Sequence, residues 1–104
     1  MAKTQIILTP KADEDIREIF DYLSSFSLNA ADVQVGRILD KIELLKQFPR
    51  IGRIVEHFGN QRLRELPVSP YVIAYYIVSG ARIDILSIHH SAKPPGVYYF
   101  KDEE

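Results

Sequence analysis

Residues 62–91 read RLRELPVSPYVIAYYIVSGARIDILSIHHS, and the fold is decided there. Tyr71 to Ser79 is a nearly continuous apolar run of β-branched and aromatic residues, the pattern of a central strand with both faces covered. Gly80-Ala81 interrupts it as a tight turn, and Arg82 to His89 returns as the second arm of a hairpin. Upstream, Arg62 to Val68 predicts a third strand. Pro67 has no N–H to give a ladder, so an edge or a bulge is expected at that point, and Ser69-Pro70 supplies the turn that follows. The strand period of two places Tyr71, Ile73, Tyr75 and Ile77 on one face and Val72, Ala74, Tyr76 and Val78 on the other.

Moving toward the N-terminus, the period changes. Lys3 to Leu8 is a short apolar run that fits a strand. Thr9 suits an N-cap, Pro10 the first helical position, and Asp13, Glu14 and Asp15 the positive end of a helix. Ala12, Ile16, Ile19, Phe20 and Leu23 share one helical face, which predicts a helix from Pro10 to Leu23 or Ser25. Asn29 is the expected cap of a second helix, with Val35, Ile38, Leu39, Ile42 and Leu45 as its buried stripe and Pro49 as its stop. Pro49 to Gly52 turns the chain, Ile54 to Phe58 reads as a short extended piece, and Gly59-Asn60 is a turn. The order strand, helix, helix, three-strand meander is α+β, with a helical hairpin on one face of a small, mostly antiparallel sheet.

With 104 residues, 46% of them hydrophobic, the chain is expected to form one compact domain over 1–104, with a flexible acidic tail at about 101–104. No apolar run approaches membrane-spanning length and no signal pattern opens the chain, so a cytoplasmic protein without membrane contact is expected. The absence of cysteine removes disulfides and thiolate metal sites. A net charge of −1 argues against strong nonspecific nucleic-acid binding, which draws on a basic excess.

The ordered set LTPKADEDIREIFDYL (8–23), LLKQFPRIGR (44–53), RLRELPV (62–68), YVIAYYI (71–77) and IDILSIHHS (83–91) resembles the RelE/ParE superfamily of toxins from type II toxin–antitoxin, or plasmid-stabilisation, modules. The resemblance covers nearly the whole chain. It implies the strand–helix–helix–meander fold, a cognate antitoxin as partner, a possible toxin–antitoxin hetero-oligomer, and no cofactor. It also offers two activities. ParE-like members poison DNA gyrase; RelE-like members cut mRNA in the ribosome. A third reading is an inactive module that only binds an antitoxin.

Residues choose between them. Cutting RNA at a 2′-OH needs a proton acceptor, a proton donor for the leaving oxygen, and cations for the phosphate. In RelE-like toxins these are strand lysines and arginines with a C-terminal Tyr or His. By resemblance, a nuclease here would use His89, His90, Tyr98, Arg62 and Arg64. Leu63 and Glu65 stand where lysines are expected, and Val72 where an arginine is expected. The ParE-like reading is therefore favoured, with Arg53, Arg62, Arg64, Lys93, Tyr98 and Tyr99 as a target- or antitoxin-binding surface. His89 and His90 are strand neighbours that point to opposite faces and cannot readily share a metal ion, so no metal site is expected.

Overall fold

The computed structural model describes residues 4–55 and 59–92. Two helices, α1 (Pro10–Ser24) and α2 (Leu28–Leu44), cover one face of a sheet whose strands are β1 (Gln5–Leu8), β2 (Arg53–Ile54), β3 (Leu63–Val68), β4 (Tyr71–Ser79) and β5 (Arg82–His90). The spatial order is β1-β5-β4-β3-β2. β3, β4 and β5 form the expected antiparallel meander, and β1 runs parallel to β5 from Gln5↔Arg82 to Leu8↔Ile85. β4 is central, as its apolar run requires. No helix among the described residues is long and apolar enough to cross a membrane.

Local chemistry explains the element ends. Thr9 caps α1: its Oγ1 accepts the Ala12 N–H at 3.2 Å and donates to the Ile85 carbonyl at 2.7 Å. One hydroxyl thus starts the helix and ties it to β5. The second helix begins two residues earlier than the Asn29 cap predicts, because Ser27 is in extended conformation and its side chain takes the Ala30 N–H. Pro67 sits at a local edge. Ile77 N–H bonds to the Arg62 carbonyl, so by the antiparallel alternation Leu63, Glu65 and Pro67 direct their backbone nitrogens away from β4. β2 pairs only with Arg64 and Glu65, leaving no ladder for Pro67 to disrupt. Gly59 takes the left-handed conformation, φ 64°, before β3.

The main core lies between helices and sheet. Ala12 and Ile19 of α1 and Ile38 and Ile42 of α2 meet Ile73, Tyr75, Ile83 and Ile85. A smaller cluster of Val55, Leu63 and Ala74 lies on the other face. Leu39, expected in the α2 stripe, is instead 45% exposed; Ile38, Ile42 and Leu45 already fill the contact with the sheet.

The alternation of β5 is broken. Ala74 pairs with Ser87 and Tyr75 with Ile85, so Leu86 is an extra residue in a bulge. The bulge shifts the phase, returning Ile88 to the helix-side core with Ile83 and Ile85. It also frees the Ile88 N–H beyond the end of β1. Asp15 from α1 captures that donor, Oδ2 to N 3.0 Å, and is paired with Lys11 at 2.9 Å. A carboxylate is well suited to a half-buried backbone donor, because a charged acceptor makes the stronger bond.

Losing this tie should be measurable. Asp15→Ala is expected to lower the unfolding free energy by about 1–3 kcal/mol, read as a lower urea midpoint at unchanged m-value. Asp15→Asn keeps an acceptor oxygen and should recover part of the loss. An alanine variant as stable as the parent would show that Ile88 does not depend on α1.

Candidate functional site

The bulge decides where the two histidines go. A regular strand through Ile83 and Ile85 would carry His89 on the helix side. The extra Leu86 reverses this: His90 pairs with Tyr71, whose face carries the main core, and His89 pairs with Val72 on the other. His89 is buried, with its Nδ1 3.2 Å from the Ser87 hydroxyl. His90 is exposed, and its ring meets Tyr71 edge to face at 5.9 Å. Its Nδ1 accepts the Ala92 N–H at 3.1 Å, which leaves Nε2 as the ring's outward nitrogen and its protonated one when neutral.

A cleft of about 180 Å³ opens between this strand end and α1, lined among others by Lys11, Asp15, Glu18, Tyr71 and His90. Burial, with Tyr22 nearby, raises the Tyr71 phenol above its ordinary value of 10.0, so it is a hydrogen-bond donor near neutral pH. Sequence reasoning missed the helix side of this cleft. Its trace is visible in retrospect: Lys11, Asp15 and Glu18 follow the i, i+4, i+7 spacing of one helical face.

The arginines are placed apart from the histidines. Arg64 is buried, only 8% exposed, and its guanidinium is committed to backbone: Nε to Gln61 O at 2.9 Å, and one terminal nitrogen to Arg50 O at 3.1 Å and Gly52 O at 3.0 Å. Arg62 precedes β3, is exposed, and donates to the Val78 carbonyl at 3.1 Å. Arg53 is exposed on β2 and pairs with buried Glu65 at 3.3 Å. In β4 register, Arg64 stands opposite Tyr75, whereas His90 stands opposite Tyr71 at the strand's start. Lys93, Tyr98 and Tyr99 lie outside the described residues, as does His57. Among the described residues no three His, Cys, Asp or Glu side chains converge as a metal set would.

Arg64 shares its task with Tyr75, directly across the ladder. The fully buried Tyr75 hydroxyl donates to Pro49 O at 2.8 Å and accepts the Gly52 N–H at 3.0 Å. The two side chains fix the turn from Pro49 to Gly52 from beneath. Gly52 is there because nothing larger fits: a Cβ would lie 2.7 Å from the Tyr75 hydroxyl and 2.8 Å from the Glu65 carbonyl. Burial raises the Tyr75 phenol; the Gly52 N–H and the nearby Arg64 and Arg50 charges oppose that shift in part.

Comparison with known proteins supplies relatives for this arrangement. Residues 6–95 match the family described as the ParE toxin of the type II toxin–antitoxin system parDE. The chain is 36% identical over 90 residues to a Caulobacter vibrioides protein named Toxin RelE2, covering 86% of this chain and 97% of that one. It also resembles a solved structure from the chromosomal ParDE toxin–antitoxin system of P. aeruginosa, with a TM-score of 0.67 at 24% identity, covering 84% of this chain and 95% of the other. At that identity the likeness speaks to the fold.

The turn makes two measurable demands. Gly52→Ala should destabilise the protein by about 1–3 kcal/mol, because the new methyl must displace a backbone carbonyl and a locked phenol. Tyr75 should also give the protein an alkaline limit. With its pKa raised in the fold, its contribution is fully present below the unfolded value near 10.0 and is lost as pH rises toward the folded value, since the unfolded chain releases the proton first. In Tyr75→Phe, urea midpoints should fall less steeply above pH 10 than in the parent; an unchanged slope would assign the alkaline loss to other groups.

Proposed function

The chain belongs to the ParE toxin family of type II toxin–antitoxin systems, and from that premise we propose that it arrests growth by inhibiting DNA gyrase in the cytoplasm. A cognate antitoxin neutralises it in a toxin–antitoxin hetero-oligomer. The observation that carries the gyrase reading is the fate of Arg64. A ribosome-dependent nuclease needs cations free to hold the scissile phosphate. Arg64 is buried and spends three of its N–H groups on backbone carbonyls, Leu63 and Glu65 flank it, and Val72 occupies the position where an arginine is expected. The exposed cation beside it, Arg62, is at the opposite end of β4 from His90. What remains at the strand end is a shallow cleft with mixed charge, suited to a protein surface rather than a polyanion.

One observation favours the second reading, ribosome-dependent mRNA cleavage. The cleft brings an exposed imidazole, a phenol kept protonated and the Lys11 side chain to one place. Those groups could exchange protons with a substrate.

Two assays separate the readings. Purified protein should inhibit supercoiling by gyrase in a dose-dependent way, and the protein encoded beside its gene should relieve the inhibition. Cleavage of mRNA on ribosomes, with gyrase unaffected, would overturn the proposal in favour of the nuclease. In that case His90→Ala should reduce cleavage by about 10²–10⁴-fold with the fold intact. Expression without the antitoxin should stop growth under either reading; normal growth would leave the inactive binding module.

A further inference from the structure

The helical hairpin ends in a short, tied connection that displays aromatic side chains to solvent. The Phe26 and Ser27 N–H groups both bond to the Leu23 carbonyl, at 3.0 and 2.9 Å. The Ser24 and Ser25 hydroxyls donate to the Asp21 and Tyr22 carbonyls, and the Ser27 hydroxyl accepts the Ala30 N–H at the start of α2. The serines are spent on backbone, and what projects is apolar: Phe26 is 74% exposed, Tyr22 63% and Leu28 62%. Tyr22 and Phe26 meet edge to face at 5.3 Å. Exposed rings on a fixed backbone lose little entropy when a partner covers them.

This tip is continuous with the cleft at the strand end. Tyr22 stands one helical turn beyond Glu18 on the stripe of Lys11, Asp15 and Glu18, and it lies beside Tyr71. Tyr71 in turn meets the His90 ring. Phe26, Tyr22, Tyr71 and His90 therefore form one line of rings from the hairpin tip to the end of β5. The charge beside it is negative. From Glu18 to Gly36 the sequence has three acids and no lysine, arginine or histidine. Glu18 and Asp21 are exposed and make no ion pair among the described residues. The cations nearer the start of α1 are neutralised, Lys11 by Asp15 at 2.9 Å and Arg17 by Asp13 at 3.1 Å. Exposed cations lie elsewhere: Arg50 and Arg53 rim the turn after α2, where Phe48, Ile51 and Ile54 are also exposed.

We infer that the line of rings from Phe26 to His90, edged by Glu18 and Asp21, is the face that docks on gyrase, and that it takes a cationic patch of that enzyme, arginines or lysines set among apolar residues. Ring faces attract a guanidinium or ammonium group, and the carboxylates complete its pairing. An enzyme that handles DNA presents cations wherever it holds phosphate, so a face of opposite sign has a counterpart there. Resting on the gyrase reading above, this site gives that contact a place and a chemistry.

Two double variants test it, each titrated calorimetrically against purified gyrase and, in parallel, against the protein encoded beside the toxin gene. Tyr22→Ala with Phe26→Ala removes two exposed rings and should weaken gyrase binding by about tenfold or more, with the circular dichroism spectrum and urea midpoint of the free chain preserved. Glu18→Lys with Asp21→Lys reverses the charge toward the C-terminal end of α1, where lysine suits the helix dipole, so the fold should hold. Gyrase binding by the parent should weaken as salt rises; the charge-reversed chain should bind about tenfold more weakly and lose that salt dependence. Asp40→Lys, an exposed reversal far along α2, should bind gyrase within about twofold of the parent. If both double variants also bind gyrase within about twofold, the site is wrong and the gyrase reading stands. Losses confined to antitoxin binding would assign the face to the antitoxin and overturn the proposal. A loss for Asp40→Lys as large as that of the charge-reversed pair would reduce the effect to net charge and overturn the cationic patch. A parent chain that fails to bind gyrase at all would overturn the underlying reading together with the site.

Discussion

A phenol buried in an apolar core has to find its hydrogen bonds there, and Tyr75 finds both of them on a single turn. Its hydroxyl joins Pro49 O and the Gly52 N–H across more than twenty residues of sequence. Arg64, opposite it in the ladder, supplies the remaining donors to Arg50 O and Gly52 O. Together they fasten the exit of α2 to the middle of the sheet. The glycine at 52 follows from the closeness of that approach, and so does the short edge strand, since β2 begins where the clamp releases the chain. An unpaired buried guanidinium or phenol would be costly, so the turn and the two side chains must form together or not at all.

The other fixed point is the bulge in β5. At the start of α1 the Thr9 hydroxyl holds the Ile85 carbonyl, where the β1 pairing ends, and Asp15 satisfies the Ile88 N–H, which β1 is too short to reach. This joins residues more than seventy positions apart. It sets the height of the first helix over the sheet, and with it the cleft at the strand end. The bulge also selects which histidine is buried and which is presented. A feature of backbone register thereby controls the chemistry displayed at the surface.

Much of this fold is legible in the sequence because it rests on periodicity. The apolar run at 71–79, the glycine turn, the i, i+3, i+4 stripes and the Thr9-Pro10 start all act locally. Their structural counterparts agree to within a residue or two. What was not legible depends on partners distant in sequence. Arg64 reads as a surface cation until the carbonyls of Arg50 and Gly52 are seen to enclose it. Asp15 reads as a helix-terminal acid until Ile88 appears beneath it. Leu39 reads as core because its position on the helical face is right, but the sheet is already covered by its neighbours. The bulge left a trace, since Ile83, Ile85 and Ile88 break a strict alternation. A strand pattern of that kind counts as evidence of phase change only once the pairing strand is known.

The placement of polar groups carries a consequence for how so small a protein can act. Its buried charged and hydroxyl groups, Arg64, Glu65, Tyr75 and Ser87, lie on the sheet, and Arg64 and Tyr75 turn inward onto backbone rather than outward to a ligand. What Arg64 and Tyr75 make rigid is an apolar turn with a basic rim; the aromatic and imidazole cleft lies toward the other end of β4. A nuclease would be expected to spend its cations at the surface, where phosphate is. A protein that works by contact with other proteins gains more from fixed backbone and exposed apolar side chains, since order present before binding need not be imposed by it. The internal use of Arg64 is thus the same choice seen from inside the molecule as the exposure of Phe48, Ile51 and Ile54 seen from outside.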